Sequence, residues 1–475
     1  MPIPSASNLL AGAVVLLDLF AIARAVWRGR GVESTLAWIF AILAFPILGA
    51  LSYLALANPS ILRATRRRRL GHAAMRRQLV RRVPALDGGD PGGGLPLLEL
   101  TAALTGLTPS SGNAVALLAE DARAFERIEG VLRQARRSIW AEYFIIRNDE
   151  TGHRFLDLLA ARAAAGVEVR LLYDAVGSLR ADSRRLRAIR SAGGQTEMFL
   201  PVNPLRRRWA VHLRNHRKLV VVDGEAGFTG GMNVGDEYSG RARRKGAQHF
   251  HDTHLEVRGP AVLDLARTFA EDWWFATGED LSVAHMPSPR GVGEAIVAVV
   301  PSGPDQTLNA HALVTFAGVA TAHRRCYLSS PYFIPDEPLL RALVTAALRG
   351  VDVRLLVPER SDVWLMSAAA RSYFAVLLRG GVRVFAYLPS MLHAKTLVVD
   401  GEWSLVGSGN ADIRSFRLNF ELGALVVDRR LAAALEEGFL ADLARSREVD
   451  AGELERRGWS DRLRDGAARL LSPLL

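Results

Sequence analysis

One pattern occurs twice in this chain of 475 residues. His216-Arg217-Lys218 leads over four residues to Asp223, and ten residues further to Asn233 at the end of Gly230-Gly231-Met232-Asn233. His393-Ala394-Lys395 leads at identical spacing to Asp400, and then to Asn410 at the end of Gly407-Ser408-Gly409-Asn410. A chain carrying both copies folds as a duplicated unit. Leu219 to Val222 and Thr396 to Val399 are rich in β-branched residues and predict buried strands. On a strand, residues i and i+2 face the same way, so each His and Lys project side by side. An imidazole beside an ammonium, with an Asn amide returning nearby, suits an anionic phosphate: the donors hold its oxygens while a neutral His attacks. Composition sharpens this. The chain has three lysines, Lys218, Lys245 and Lys395, and otherwise uses Arg. Keeping Lys at both matching positions points to a tight pocket that takes a point charge rather than a planar fork.

At these residues the chain resembles the phospholipase D superfamily, whose HKD motif has this form. The flanks, Arg214-Asn215-His216-Arg217-Lys218 with Val234-Gly235-Asp236-Glu237-Tyr238, and Arg414-Ser415-Phe416-Arg417-Leu418-Asn419-Phe420-Glu421, are similar to the bacterial cardiolipin synthases. The resemblance runs to the ending Ser472-Pro473-Leu474-Leu475. It implies an α/β fold of two tandem phospholipase-D-like α/β/α domains in pseudo-twofold arrangement, sharing one pocket. It also implies phosphatidyl transfer between two phosphatidylglycerols through a phosphatidyl-histidine, with release of glycerol. His216 is then the nucleophile and His393 the acid/base, an order that sequence alone does not fix. Lys218, Lys395, Asn233 and Asn410 are expected to hold the phosphate. Asp223 and Asp400 complete the two catalytic motifs, supporting the fold around the site more than touching substrate. Asp252 and Glu421 each open a strand after their motif's Asn, and the resemblance makes each the orienting partner of a catalytic His; which serves which stays open. No metal or other cofactor is expected. Gly409 stands where the family pattern puts Ala, which reads as a smaller, looser turn.

The N-terminus selects the anionic partner. A formal charge of +11 and a pI near 10.4 suit nucleic acid or an acidic membrane. Asn8 to Trp27 is largely apolar but carries Asp18 and Arg24, and Ser34 to Ala57 is uncharged and long enough to cross a bilayer of roughly 30 Å. Together they predict a transmembrane helical hairpin over 1–60, its second span the firmer, with Pro46 kinking that span or turning it back. Asp18 is expected at the interface or against the partner helix. Ala55-Leu56-Ala57 looks like a cleavage site, but the leading region has no positive charge and the segment is too long for a signal peptide. Residues 61–112 are a basic juxtamembrane segment and linker, with Arg63, Arg66 to Arg69, Arg76, Arg77, Arg81 and Arg82. By the positive-inside rule these place the rest in the cytoplasm, as a multi-pass protein of the bacterial inner membrane, although Arg28 and Arg30 pull the other way. The expected partners are phosphatidylglycerol and anionic membrane lipids, not nucleic acid; oligomeric state is unspecified.

The remainder divides into 113–286 and 287–475, with repeated order. Ser138 to Ile146, a helix over Gly152 to Gly166, and Val167 to Tyr173 form a βαβ unit. Cys326 to Ile334, Pro338 to Gly350 and Val351 to Val357 repeat it, matching Tyr143-Phe144-Ile145 to Tyr332-Phe333-Ile334. Single Cys326 suits a reducing compartment and reads as packing. His249, His251 and His254 lack the accompaniments of a zinc site and are read as structural or along the substrate path. Trp273-Trp274-Phe275 reads as core, with an interfacial anchor as the sharper option. A hydrolytic phospholipase D, a nuclease and a catalytically silent membrane scaffold share parts of this pattern. The membrane segment argues against the nuclease, and two complete motifs against the scaffold.

Overall fold

A computed structural model describes residues 6–28, 32–56, 94–119, 121–202, 212–240, 249–281 and 289–470. The arginine run over 63–82, Lys245, Pro287 and Ser288 of the junction, and the Ser472 to Leu475 ending lie outside the described residues.

The two repeats build one continuous sheet. At its centre Ser110–Leu118 pairs antiparallel with Ala295–Ser302. From Ser110–Leu118 the order runs outward through His254–Arg258, Ala226–Gly230, Lys218–Val222, Ser138–Tyr143, Glu168–Asp174 and Gln195–Phe199. From Ala295–Ser302 it runs through Asn419–Val427, Trp403–Gly407, Thr396–Val399, Arg325–Ser329, Asp352–Pro358, Arg383–Tyr387 and Ser446–Glu448. In each half the three βαβ-type strands are parallel and the His strand runs antiparallel to the first of them.

The His strands are buried on both faces, which is why they read as unbroken apolar runs. Val220 and Val222 point into the outer core of the first half, against Phe155, Leu156 and Leu159 of the helix Glu150–Ala164. Leu219 and Val221 point into a second core that also takes Val398, Val406, Phe420 and Leu422 from the other repeat. The two halves therefore share a core as well as a sheet. Trp273 and Phe275, on the helix Val262–Thr277, are buried in that shared core, so the aromatic run packs rather than anchors. Cys326 is buried in the second half's own core, and burial pushes its thiol up to about 12.

Three expectations change in detail. First, the linker to residue 112 gives way to a helix, Gly94–Thr105, whose Leu97 and Leu98 join the core of the second half. Second, the repeat register shifts by two. Tyr143 lies opposite Lys218 and Ser329 opposite Thr396, so Ser330 takes the place of Tyr143. The pairs Ile146–Val234 and Phe333–Ala411 agree, leaving Tyr332 in the place of Ile145.

Third, the N-terminal stretches exchange roles. Ala6–Arg28 is one unbroken helix and, among the described residues, the one helix long and apolar enough to cross a membrane. The second stretch splits into Val32–Ala44 and Leu48–Leu56 around Pro46, with Ile47 at φ 69°. Trp38 and Tyr53 meet edge to face at 5.4 Å, and Gly49 lies against the backbone of Ala41 and Ile42. In a continuous helix residues 38 and 53 would stand about 22 Å apart, so the stretch turns back on itself. Asp18, midway along the long helix, accepts a hydrogen bond from the Ile47 amide at 3.2 Å, so it faces the partner helices.

Candidate active site

Two short parallel ladders, each made between the repeats, position the catalytic candidates. Arg214–Asn215 pairs with Asn419–Phe420, and the amide of the next residue, His216, donates to Phe420 O at 2.9 Å. The residue after Phe420 is Glu421, and its carboxylate meets His216 Nδ1 at 2.9 Å. In the other ladder Met391–Leu392 pairs with Phe250–His251, and the His393 amide donates to His251 O at 2.7 Å. Asp252 follows, 2.5 Å from His393 Nδ1. The pairing that sequence left open is thus crossed: each His is oriented by the carboxylate of the other repeat.

Each carboxylate is held in turn. Glu421 accepts from Ser408 Oγ at 2.5 Å, Ser415 Oγ at 2.9 Å and Asn419 Nδ2 at 3.1 Å. Asp252 accepts from its neighbour's amide, Thr253 N, at 2.7 Å and lies 3.6 Å from Lys395 Nζ. Lys218 donates to His216 O at 2.7 Å, and Lys395 donates to His393 O. Asn233 donates to Tyr238 Oη at 2.9 Å and accepts from Ile145 N at 3.2 Å. Asn410 donates to Asp412 at 3.1 Å. All eight of these His, Lys, Asn and carboxylate side chains are buried around one site.

Burial sets the charge states. It lowers His216 to about 4, offset by Glu421 and reinforced by Lys218. It lowers His393 to about 4 as well, reinforced by Lys395 and offset by Asp252. Lys395 falls to about 8 and Lys218 well below the usual lysine range, both chiefly through burial. Burial alone would raise the two carboxylates. Lys395 and His393 overcome it at Asp252, and His216 and Lys218 at Glu421, so both come down to about 2. The site thus presents two neutral imidazoles and two carboxylates firmly ionised.

Asp223 and Asp400 stand apart, at the far ends of the His strands. Asp223 accepts from the amides of Arg136, Arg137 and Ser138 at 2.7–2.9 Å, and Asp400 from those of His323, Arg324 and Arg325 over the same range. Both have φ 56°, a left-handed turn that Asp tolerates. They tie each His strand to its neighbour and are five residues from Lys.

Sequence reading passed over Arg217. It lies between His and Lys and therefore points to the opposite face. There it is fully buried, donating to Glu421 O and Ser302 O at 3.0 Å each and pairing with Asp272. A buried guanidinium needs such partners, and the signal was its position in a run predicted to be core on both faces. Gly409 is not a loose turn: a Cβ there would come within 2.4 Å of the His311 ring, whose Nε2 touches Asn410 O at 3.2 Å. His251 pairs with Asp442 at 2.9 Å and stacks on Tyr387, while His254 is buried behind Gly230.

Comparison with known proteins agrees with this geometry. Residues 128–273 and 317–443 match the family described as "Cardiolipin synthase, PLD-like domain", and residues 16–57 match "Phospholipase_D-nuclease N-terminal". The chain belongs to the cardiolipin synthase family. Cardiolipin synthase A of Pseudomonas aeruginosa is 37% identical over 473 residues, which cover 98% of this chain and 96% of that one. The cardiolipin synthase of Geobacillus thermodenitrificans is 39% identical over 383 residues, 80% of this chain and 76% of its own. In structure, a phosphatidylserine synthase of Haemophilus influenzae superposes with a TM-score of 0.62 at 16% identity, over 80% of this chain and 100% of its own. That likeness shows the fold. Members of the cardiolipin synthase family are phosphatidyltransferases of the phospholipase D superfamily, and this chain is one by descent.

Proposed function

We propose that this chain makes cardiolipin and glycerol from two phosphatidylglycerols at one site shared by its two halves, 113–286 and 287–475. The crossed pairs His216–Glu421 and His393–Asp252 carry the reading, since they give two neutral imidazoles, each oriented by a carboxylate at Nδ1, with Lys395 Nζ 3.4 Å from His393 Nε2. Neutral His216 attacks phosphorus and forms a phosphatidyl-histidine. The phosphate's negative charge enters beside His393 and raises its pKa, so that it carries the proton the departing glycerol takes. His393, neutral again, then accepts the proton of the incoming hydroxyl as the second phosphatidylglycerol attacks. This order of roles follows the superfamily resemblance. Lys218, Lys395, Asn233 and Asn410 hold the non-bridging oxygens. We place the catalytic halves on the cytoplasmic face of the bacterial inner membrane, tethered by the N-terminal helices.

The test is to incubate the detergent-solubilised full chain with phosphatidylglycerol and a chelator and to resolve the lipids. Cardiolipin from the wild type, lost in both His216→Ala and His393→Ala, is the expected result. Phosphatidic acid alone means that water is the acceptor.

A further inference from the structure

The catalytic histidines lie beyond one edge of the sheet, where the parallel strands end. Among the described residues, six exposed apolar side chains leave the sheet at that edge. Val176 and Leu179 follow the strand Glu168–Asp174, and Val202 follows Gln195–Phe199. Val363 and Trp364 follow Asp352–Pro358, and Leu388 follows Arg383–Tyr387. Leu179 is 76% exposed, Trp364 68% and Leu388 56%. Leu179 and Val363 occupy equivalent places, each the eleventh residue after the first residue of its strand.

Three of the four loops are tied to the site. Ser178 donates to Phe144 O at 2.9 Å and accepts from Ile146 N at 3.0 Å, and the Phe144 ring stands edge-on to His216 at 5.0 Å. Asp362, beside Val363, accepts from Tyr332 Oη at 2.7 Å, and its charge reaches Lys395. Leu388 adjoins Tyr387, which stacks at 5.3 Å on His251, whose carbonyl holds the His393 amide. Exposed Arg180 and Arg360 stand in the same loops.

We propose that this rim docks onto the bilayer surface, so that a lipid's phosphodiester reaches the two histidines without its chains entering water. Apolar side chains with an interfacial Trp, interspersed with Arg, match the boundary between acyl chains and anionic headgroups. The rim appears on both repeats, as a site taking a donor and an acceptor from one membrane requires. This rests on a bilayer lipid being the substrate.

The test uses the full chain reconstituted in phosphatidylcholine–phosphatidylglycerol vesicles. Single cysteines at Leu179, Trp364 and Leu388 carry an environment-sensitive fluorophore, with buried Cys326 unlabelled. Leu348, 72% exposed at the end of the helix Glu337–Leu348, on the opposite edge of the sheet, is the control. Lipids with a shallow nitroxide should quench the three rim probes and spare Leu348. A rim left unquenched, or Leu348 quenched equally, overturns the proposal. In the kinetic arm, Leu179→Asp with Trp364→Asp should cut turnover of vesicle lipid at least about tenfold while turnover of a monomeric short-chain phosphatidylglycerol stays within about twofold. Equal loss on both substrates would mean damage to the fold and also overturns it. Quenching reads docking without catalysis, so a chain that docks and makes no cardiolipin would refute the synthase reading alone.

Discussion

At the scale of single residues, the site is defined by protons it refuses. His216, His254 and His393 are all held near 4 by burial, against about 6.5 in the unfolded chain. Because the folded value lies below the unfolded one, the unfolded chain takes up the proton first. Each His therefore stabilises the fold fully above pH about 6.5 and loses that contribution as pH falls toward 4. Asp412, pushed up to about 6 by burial, works the other way over the lower part of this window. A difference measurement isolates one His. Between pH 7 and 5, His254→Asn should lose less stability than the wild type by about 2 kcal/mol. Thermal unfolding at the two pH values reads this, and parallel losses in both proteins would show that His254 does not stay neutral. The histidines were legible in the sequence because His-x-Lys is local and repeats. Arg217 and the Gly409–His311 contact were not, because what they touch is far away in the chain: Ser302 and Asp272 in one case, a helix of another segment in the other.

At the scale of elements, the strand pairs explain why sequence could name Asp252 and Glu421 but not match them to histidines. Each carboxylate follows a two-residue ladder segment whose partner is the short strand preceding the other repeat's His. Proximity in sequence favours the uncrossed match, Asp252 with His216 and Glu421 with His393, and the ladders give the crossed one. The parallel βαβ unit of each repeat was readable from its pattern. The two-residue shift at Tyr332 was not, since an aromatic match outweighed a register that hydrogen bonding alone defines. The crossing makes a kinetic prediction. A phosphatidyl donor with a nitrophenol leaving group needs no general acid to form the intermediate. With it, Asp252→Asn, which disables His393, should still form phosphatidyl-histidine and then accumulate it, because the step needing a base is slowed. Glu421→Gln, which disorients His216, should slow formation itself, by about 10³-fold or more if the orienting carboxylate counts here as it does in a Ser-His-Asp triad. A denaturing quench at neutral to mildly alkaline pH, where the P–N bond survives, and mass measurement of the trapped enzyme distinguish the two. Accumulation in Glu421→Gln and not in Asp252→Asn would reverse the assigned roles of the histidines.

At the scale of the whole molecule, the N-terminal fold changes how the chain enters the membrane. Ala6–Arg28 is about 34 Å long, enough to cross the roughly 30 Å hydrocarbon core. Val32–Ala44 and Leu48–Leu56 are only about 20 and 14 Å long and fold against each other. Their turn meets Asp18, the middle of the long helix, so with that helix crossing the hairpin is expected to reach about half the depth and return. The Ile47 amide freed by the break finds its acceptor in Asp18, as a break inside lipid demands. This removes the conflict in the charge pattern. With two full crossings, Arg28 and Arg30 would face away from the arginines at 63–82. With one crossing and a returning hairpin, both sets lie on the same side, in accord with the positive-inside rule. This arrangement predicts that the N-terminal end of the long helix and the catalytic halves stand on opposite faces. Single cysteines at Ser7, Gly29 and Ser60 in the full chain, probed with an impermeant maleimide from either face of sealed vesicles, decide the matter. Gly29 and Ser60 should label from the face of the catalytic halves and Ser7 from the other. Gly29 and Ser60 labelling from opposite faces would mean that the second stretch crosses fully, and all three labelling from one face would mean that the long helix does not cross.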